Sequence, residues 1–208
     1  MKRATSKLLY LPAIALFVCL SFSSMNVIAQ SLQLNGTLPA KDIKVEDVSG
    51  RSLTLGEIVE TNGLIVIFSC NTCPAVSQWE DRLVQISNIA KLNNIGMIAL
   101  NPNERTRDRG ESLEDMKKRA AKQSYNFYYA LDKDHQIADA FGASRTPQVF
   151  VFNSTEQLVY IGAIDDNPRN ATQVQEKYLE DAIQKMVAGQ ELIRTTTKLL
   201  GCPIKRVN

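Results

Sequence analysis

Apolar and polar positions alternate along this chain in blocks whose period changes several times. Ile43 to Val48 alternates with a period of two, the signature of a half-buried strand, and Ser49-Gly50-Arg51 closes it with a turn. Leu53 to Val59 predicts a short strand and a helical turn within a loosely structured lead-in over 30–62. Leu64 to Phe68 is an unbroken apolar run, as expected of a central strand covered on both faces. From Pro74 the period becomes helical, with Val76, Trp79, Leu83, Ile86 and Ala90 on one face and proline in the first turn, where its missing N–H is no loss. Ile95 to Leu100 predicts the next strand, and Leu113, Met116 and Ala120 a second helix with acidic residues at its start. Phe127 to Leu131 reads as a strand, and Ile137, Ala138 and Phe141 as a short helix stopped by Gly142. Gln148 to Phe152 and Leu158 to Ile161 form a hairpin. Val174, Tyr178, Ala182, Ile183, Met186 and Val187 make a last helical stripe before Gly189.

Strand–helix alternation forces parallel pairing, and the hairpin adds antiparallel strands. The expected class is α/β, a mixed sheet with helices on both faces. Ahead of it, Lys2, Arg3 and Lys7 precede an apolar run from Leu8 to Leu20, and Val27-Ile28-Ala29 offers a cleavage site. Residues 1–29 therefore read as a secretory signal peptide. A retained anchor is the weaker alternative, because the run is short of a bilayer span. The division is 1–29 signal peptide, 30–190 domain and 191–208 a C-terminal tail. Localisation is expected to be exported, in an oxidising compartment such as a bacterial periplasm, with no stable membrane insertion after cleavage.

Net charge is only +2, which gives no reason to expect nucleic acid. Arg105, Arg107 and Arg109 interleave with acidic residues and read as a solvated loop. Cleavage removes Cys19 and leaves Cys70, Cys73 and Cys202, too few for a disulfide framework. Cys70-Asn71-Thr72-Cys73-Pro74 joins the buried run to the long helix. Two thiols at that spacing can close a short disulfide, and helix N–H groups favour the thiolate of the first.

Three segments resemble the thioredoxin fold of redoxins related to the alkyl hydroperoxide reductase/thiol-specific antioxidant group, with an added strand–helix unit. They are Phe68-Ser69-Cys70-Asn71-Thr72-Cys73-Pro74, Phe141 through Phe152 with Thr146-Pro147 at its centre, and Tyr160-Ile161-Gly162-Ala163-Ile164-Asp165-Asp166. The resemblance implies thiol–disulfide exchange without a cofactor. Cys70 would be an exposed nucleophile and Cys73 would resolve the mixed disulfide. Thr146 and cis Pro147 would meet substrate through the exposed Thr146 backbone, and Asn71, Thr72 and Pro74 would tune the potential. Partners would be disulfide-containing proteins and a thiol electron donor. Leu64 replaces the buried acidic residue of thioredoxins, so proton transfer must use water or another group. Ser69 stands where they carry tryptophan, and Trp79 reads as core.

Competing readings remain. Cys70, Cys73, Cys202 and the single histidine, His135, match a four-ligand zinc set by count, but the pair sits at a helix start and His135 in a charged turn. Copper proteins of this fold space their cysteines one residue wider. A non-catalytic metal-binding module is thus a secondary alternative. A peroxiredoxin-like thiol peroxidase would place its reactive cysteine at Cys73, but Cys70 replaces the expected threonine and Val66 the upstream proline. Cys202 is either an idle thiol or one that folds back to exchange with the active pair. Asp165 and Asp166 are either a plain acidic loop or residues flanking the active edge.

Overall fold

A computed structural model describes residues 32–207; the segment read as a signal peptide, with Cys19, lies outside them. The chain builds β1 (Val45–Asp47), β2 (Ser52–Leu53), α1 (Leu55–Ile58), β3 (Leu64–Phe68), α2 (Pro74–Leu92), β4 (Gly96–Asn101) and α3 (Leu113–Lys122). It continues through β5 (Tyr128–Leu131), α4 (Gln136–Phe141), β6 (Arg145–Thr146), β7 (Gln148–Phe152), β8 (Leu158–Gly162), α5 (Tyr178–Val187) and β9 (Cys202–Pro203). Among the described residues the main sheet has seven strands in the order β2-β1-β5-β4-β3-β7-β8. β3, β4 and β5 run parallel, while β7 and β8 return antiparallel.

The unbroken apolar run of β3 follows from this position. Leu64, Val66 and Phe68 point into one core with Phe141, Phe150 and Phe152, while Ile65 and Ile67 point into a second with Trp79, Leu83 and Ile183. All five are fully buried. A fully buried side chain of this size contributes about 1.5–3 kcal/mol, so a strand feeding both cores anchors the fold. The predicted face of α2 is buried throughout.

α4 ends at Gly142, whose φ of 62° is the left-handed conformation that stops a helix at low cost. Ser112 caps α3 and accepts from the Asp115 amide. The last helix differs from its predicted stripe. Val174 precedes α5, Val187 is exposed, and Leu179 joins Ala182 and Ile183 in the core.

The tail lies along the body. Leu192 and Leu200 pack on the α2 side, and Thr197 Oγ1 accepts from the Ala163 amide at 2.9 Å. Ile204 is buried in the opposite core. Between these anchors β9 pairs antiparallel with β6, placing Cys202 opposite Thr146.

Candidate functional site

The sheet brings the candidate residues together. Phe68 pairs with Gln148 across β3 and β7, so the turn leaving β3 lies beside Thr146-Pro147. That peptide bond is cis, as expected. Gln148 Oε1 accepts from the Ser144 and Arg145 amides and holds the approach to Pro147. Cys70 Sγ lies 3.2 Å from Thr146 Oγ1, and Cys73 Sγ lies 3.2 Å from the Thr146 carbonyl oxygen. Cys73 is the residue that opens α2, with Pro74 first in the helix and no side-chain cap.

Cys73 is joined to Cys202 in a disulfide with Cα atoms 6.3 Å apart, and Cys70 is the free thiol. The expectation of a Cys70–Cys73 pair is therefore corrected in this state. So is the expectation that Cys70 is exposed and acidified. Cys70 is 1% exposed, and burial pushes its thiol up to about 11, with the Glu111 charge adding to the rise. The Thr146 hydroxyl and the amides of Cys73 and Thr72 pull the other way, as expected of a helix start, but desolvation wins. Nor is the Thr146 backbone open. Thr146 is fully buried and β9 covers its edge.

Sequence reasoning missed Glu111. This carboxylate is fully buried beneath the motif. Its Oε2 accepts from the Asn71 amide and Asn101 Nδ2, each at 2.8 Å. Its Oε1 accepts from the Thr72 amide at 3.0 Å and the Thr72 hydroxyl at 2.6 Å. Asn71 is held further by its Nδ2 donating to the Gly110 carbonyl and by the Tyr129 hydroxyl donating to its Oδ1. Asn71 and Thr72 thus fix the turn. Leu64 is core, and the buried acid near the thiols comes from the loop after β4. That loop is not merely solvated: Arg107 donates to the Glu111 and Asn101 carbonyls. The available signal was topological, because parallel neighbours β3 and β4 end on the same sheet edge, so the loops that follow them meet.

Sequence comparison places residues 37–161 within the AhpC/TSA family. The chain belongs to the AhpC/TSA family. No curated protein sequence matches it. Its fold is similar to an uncharacterized conserved protein of Geobacillus kaustophilus, at 26% identity and a TM-score of 0.78, covering 85% of this chain and 93% of that one. A hypothetical protein of Sinorhizobium meliloti 1021 is similar at 28% identity and a TM-score of 0.77, covering 86% and 97%. A thioredoxin-like protein solved in its oxidised form shares the fold at 19% identity and a TM-score of 0.59, covering 74% and 98%.

Other candidate residues of this AhpC/TSA protein have structural partners. His135 Nδ1 lies 2.6 Å from Asp139 Oδ2, and its Nε2 faces the Val207 carbonyl. Asp165 is buried and accepts from Trp79 Nε1 and Arg82, and Asp166 accepts from the Gln175 amide. Asp165 thereby ties the loop after β8 to α2. Cys70, Cys73 and Cys202 instead share one small apolar cluster with Val76 and Ala75. Among the described residues no helix is long and apolar enough to cross a membrane.

Proposed function

We propose that this AhpC/TSA protein is an exported thiol–disulfide oxidoreductase whose working disulfide is Cys73–Cys202. The observation that carries the reading is that disulfide, set at the start of a long helix and beside a third, protected thiol. In the reduced protein, the positive end of α2 favours the Cys73 thiolate. Cys73 attacks a partner disulfide, one partner sulfur leaves as a thiolate, and a mixed disulfide forms. Cys202, held in place by both flanks of the tail, attacks Cys73, releases the second partner thiolate and regenerates the observed disulfide. Two electrons pass to the partner, and a thiol donor returns them. Substrates are disulfide-containing proteins; export rests on the basic start and apolar run at residues 1–29.

Insulin reduction driven by a dithiol tests this with single variants. Cys73→Ser is expected to abolish turnover. Cys202→Ser is expected to accumulate mixed disulfide, and Cys70→Ser to retain most activity. An inactive Cys70→Ser beside a fully active Cys202→Ser carrying a Cys70–Cys73 linkage would return the role to the neighbouring pair.

A second reading is a thiol peroxidase, favoured by Cys73 standing at the fourth motif position and pairing with a distant cysteine. There Cys73 takes an oxygen from a hydroperoxide, becomes sulfenic acid and releases the alcohol. Cys202 then closes the disulfide and expels water. Hydroperoxide consumption, and sulfenic acid trapping on Cys73 in Cys202→Ser, would support this over protein disulfide reduction.

A further inference from the structure

We infer that the protein which exchanges disulfides with this chain meets it through an acidic surface, received by a basic rim of four side chains: Arg105, Arg109, Arg145 and Lys205. The inference rests on the thiol-exchange reading and names the class of partner for that site.

Contacts between distant segments gather the four. A Cβ on Gly110 would stand 3.1 Å from Thr72 Cγ2, so Gly110 lies against the cysteine motif and Arg109 borders it. Arg109 Nη2 donates to the Arg105 carbonyl at 3.0 Å, and the Arg105 amide donates to the Lys205 carbonyl at 2.9 Å. The Lys205 amide in turn donates to Asn103 Oδ1 at 2.8 Å, which fixes the tail against the loop after β4. From β6, Arg145 pairs with Pro203, and its Nη1 donates to the Gly201 carbonyl at 2.7 Å. Gly201 permits that seat, because a Cβ there would stand 2.4 Å from the Thr146 carbonyl oxygen. The loop after β4 and the strand β6 thus bring positive charge to the tail from two places in the chain.

These charges are available to a partner. Among the described residues Arg105, Arg145 and Lys205 form no ion pair. Arg109 has only Asp108, at 3.8 Å with both side chains largely in water, and such a pair neutralises little. The neighbouring acids are engaged. Glu111 is fully buried under its amide and hydroxyl donors. Glu104 is paired with Arg107, Asp139 with His135 and Arg206, and Asp165 with Arg82. Asp166 accepts from the Gln175 amide, and exposed Asp134 adjoins exposed Lys133. Residues 30–208 hold 21 basic and 22 acidic side chains, so free cations on this edge mean an acidic excess on other faces. Such a separation of charge orients an incoming acidic partner as well as attracting it, and raises encounter rates by about 10- to 1,000-fold.

The test uses reduced full-length protein and three short peptides. Each has one central cysteine, flanked by glutamates, serines or lysines and held in a mixed disulfide with nitrothiobenzoate. A protein thiolate bonds to the peptide sulfur, the peptide–nitrothiobenzoate bond breaks, and the coloured nitrothiobenzoate thiolate leaves. The protein sulfur is oxidised as nitrothiobenzoate is reduced. Each rate is divided by that of free 2-mercaptoethanol with the same peptide, which removes intrinsic differences between the peptides. At an ionic strength of about 0.01 M the glutamate peptide is expected to react roughly tenfold faster than the lysine peptide, with the serine peptide between them. At about 1 M, where the Debye length is about 3 Å, the preference is expected to fall to about twofold or less. In the double variant Arg105→Glu, Arg109→Glu, the preference at low salt is expected to vanish or invert. Equal rates or a lysine preference in the wild type at low salt overturn the inference. So does a glutamate preference that survives high salt, or one that a folded double variant retains in full. Each of those results leaves the exchange reading standing. Release from none of the three peptides would sink that reading and the inference with it.

Discussion

Replacing Glu111 by glutamine keeps its shape and removes its charge, with an effect that can be worked from the contacts. Oε2 accepts from the Asn71 amide and Asn101, and Oε1 from the Thr72 amide and hydroxyl and, at 3.5 Å, from Asn103 Nδ2. Glutamine offers one oxygen and one NH2 group, so in either orientation at least two donors face another donor. Hydrogen bonds to a charged group contribute about 1.5–3 kcal/mol each, and stranding a buried donor costs about 1–3 kcal/mol. The Thr72 hydroxyl can rotate away, so the net loss is set at about 3–5 kcal/mol, a large share of an ordinary domain's stability. The same substitution removes the negative charge that raises the Cys70 thiol, so the Cys70 pKa falls from about 11 while burial holds it above its ordinary value. Urea unfolding with the disulfide intact reads the first effect, and thiolate ultraviolet absorbance against pH reads the second. A variant within about 1 kcal/mol of wild type would refute the organising role of Glu111. An unchanged or raised Cys70 pKa would refute the charge coupling.

Further outcomes follow from the same geometry. Burial raises the Cys70 pKa from 9.0 to about 11 on folding, so the fold favours the neutral thiol. The stability this brings is fully present below pH 9 and declines as pH rises through 11, by roughly 3 kcal/mol in total; denaturant titrations should show the decline in wild type and not in Cys70→Ala. Gly201→Ala should displace β9 from Thr146 and slow oxidative formation of Cys73–Cys202, followed by quenched alkylation; an unchanged rate would contradict the close approach. Ile204→Ala should loosen the tail through a cavity costing about 2–5 kcal/mol, and alkylation of Cys70 in the oxidised protein should accelerate. Equal alkylation rates in the variant and wild type would mean that the tail does not shield Cys70.

Much of the architecture was readable in the chain because its signals are local. The run Leu64 to Phe68, the helical stripe from Val76 to Ala90 and the stop at Gly142 each declare an element through periodicity or backbone conformation. The Thr146-Pro147 segment was found through its likeness to a known family and lies beside the thiols. What escaped was set by contacts distant in sequence. Glu111 stands in a charged stretch that looks solvated until the parallel pairing of β3 and β4 brings its loop under the motif. The partner of Cys73 lies 129 residues away, and no spacing rule connects the two. Cys70 was expected to be acidic because helix amides reach it, and they do. The apolar cluster that buries it outweighs them, and neighbouring residues in sequence do not reveal that cluster.

The span closed by Cys73–Cys202 has a consequence for biosynthesis. As the polypeptide is made from its N-terminus, Cys70 and Cys73 emerge long before Cys202 exists. An oxidase acting on the nascent chain can therefore join Cys70 to Cys73 before the partner seen in the structure is available. The Cys73–Cys202 linkage waits for residue 202, so a ribosome that stops between β8 and β9 yields a chain with every strand of the main sheet and without this cross-link.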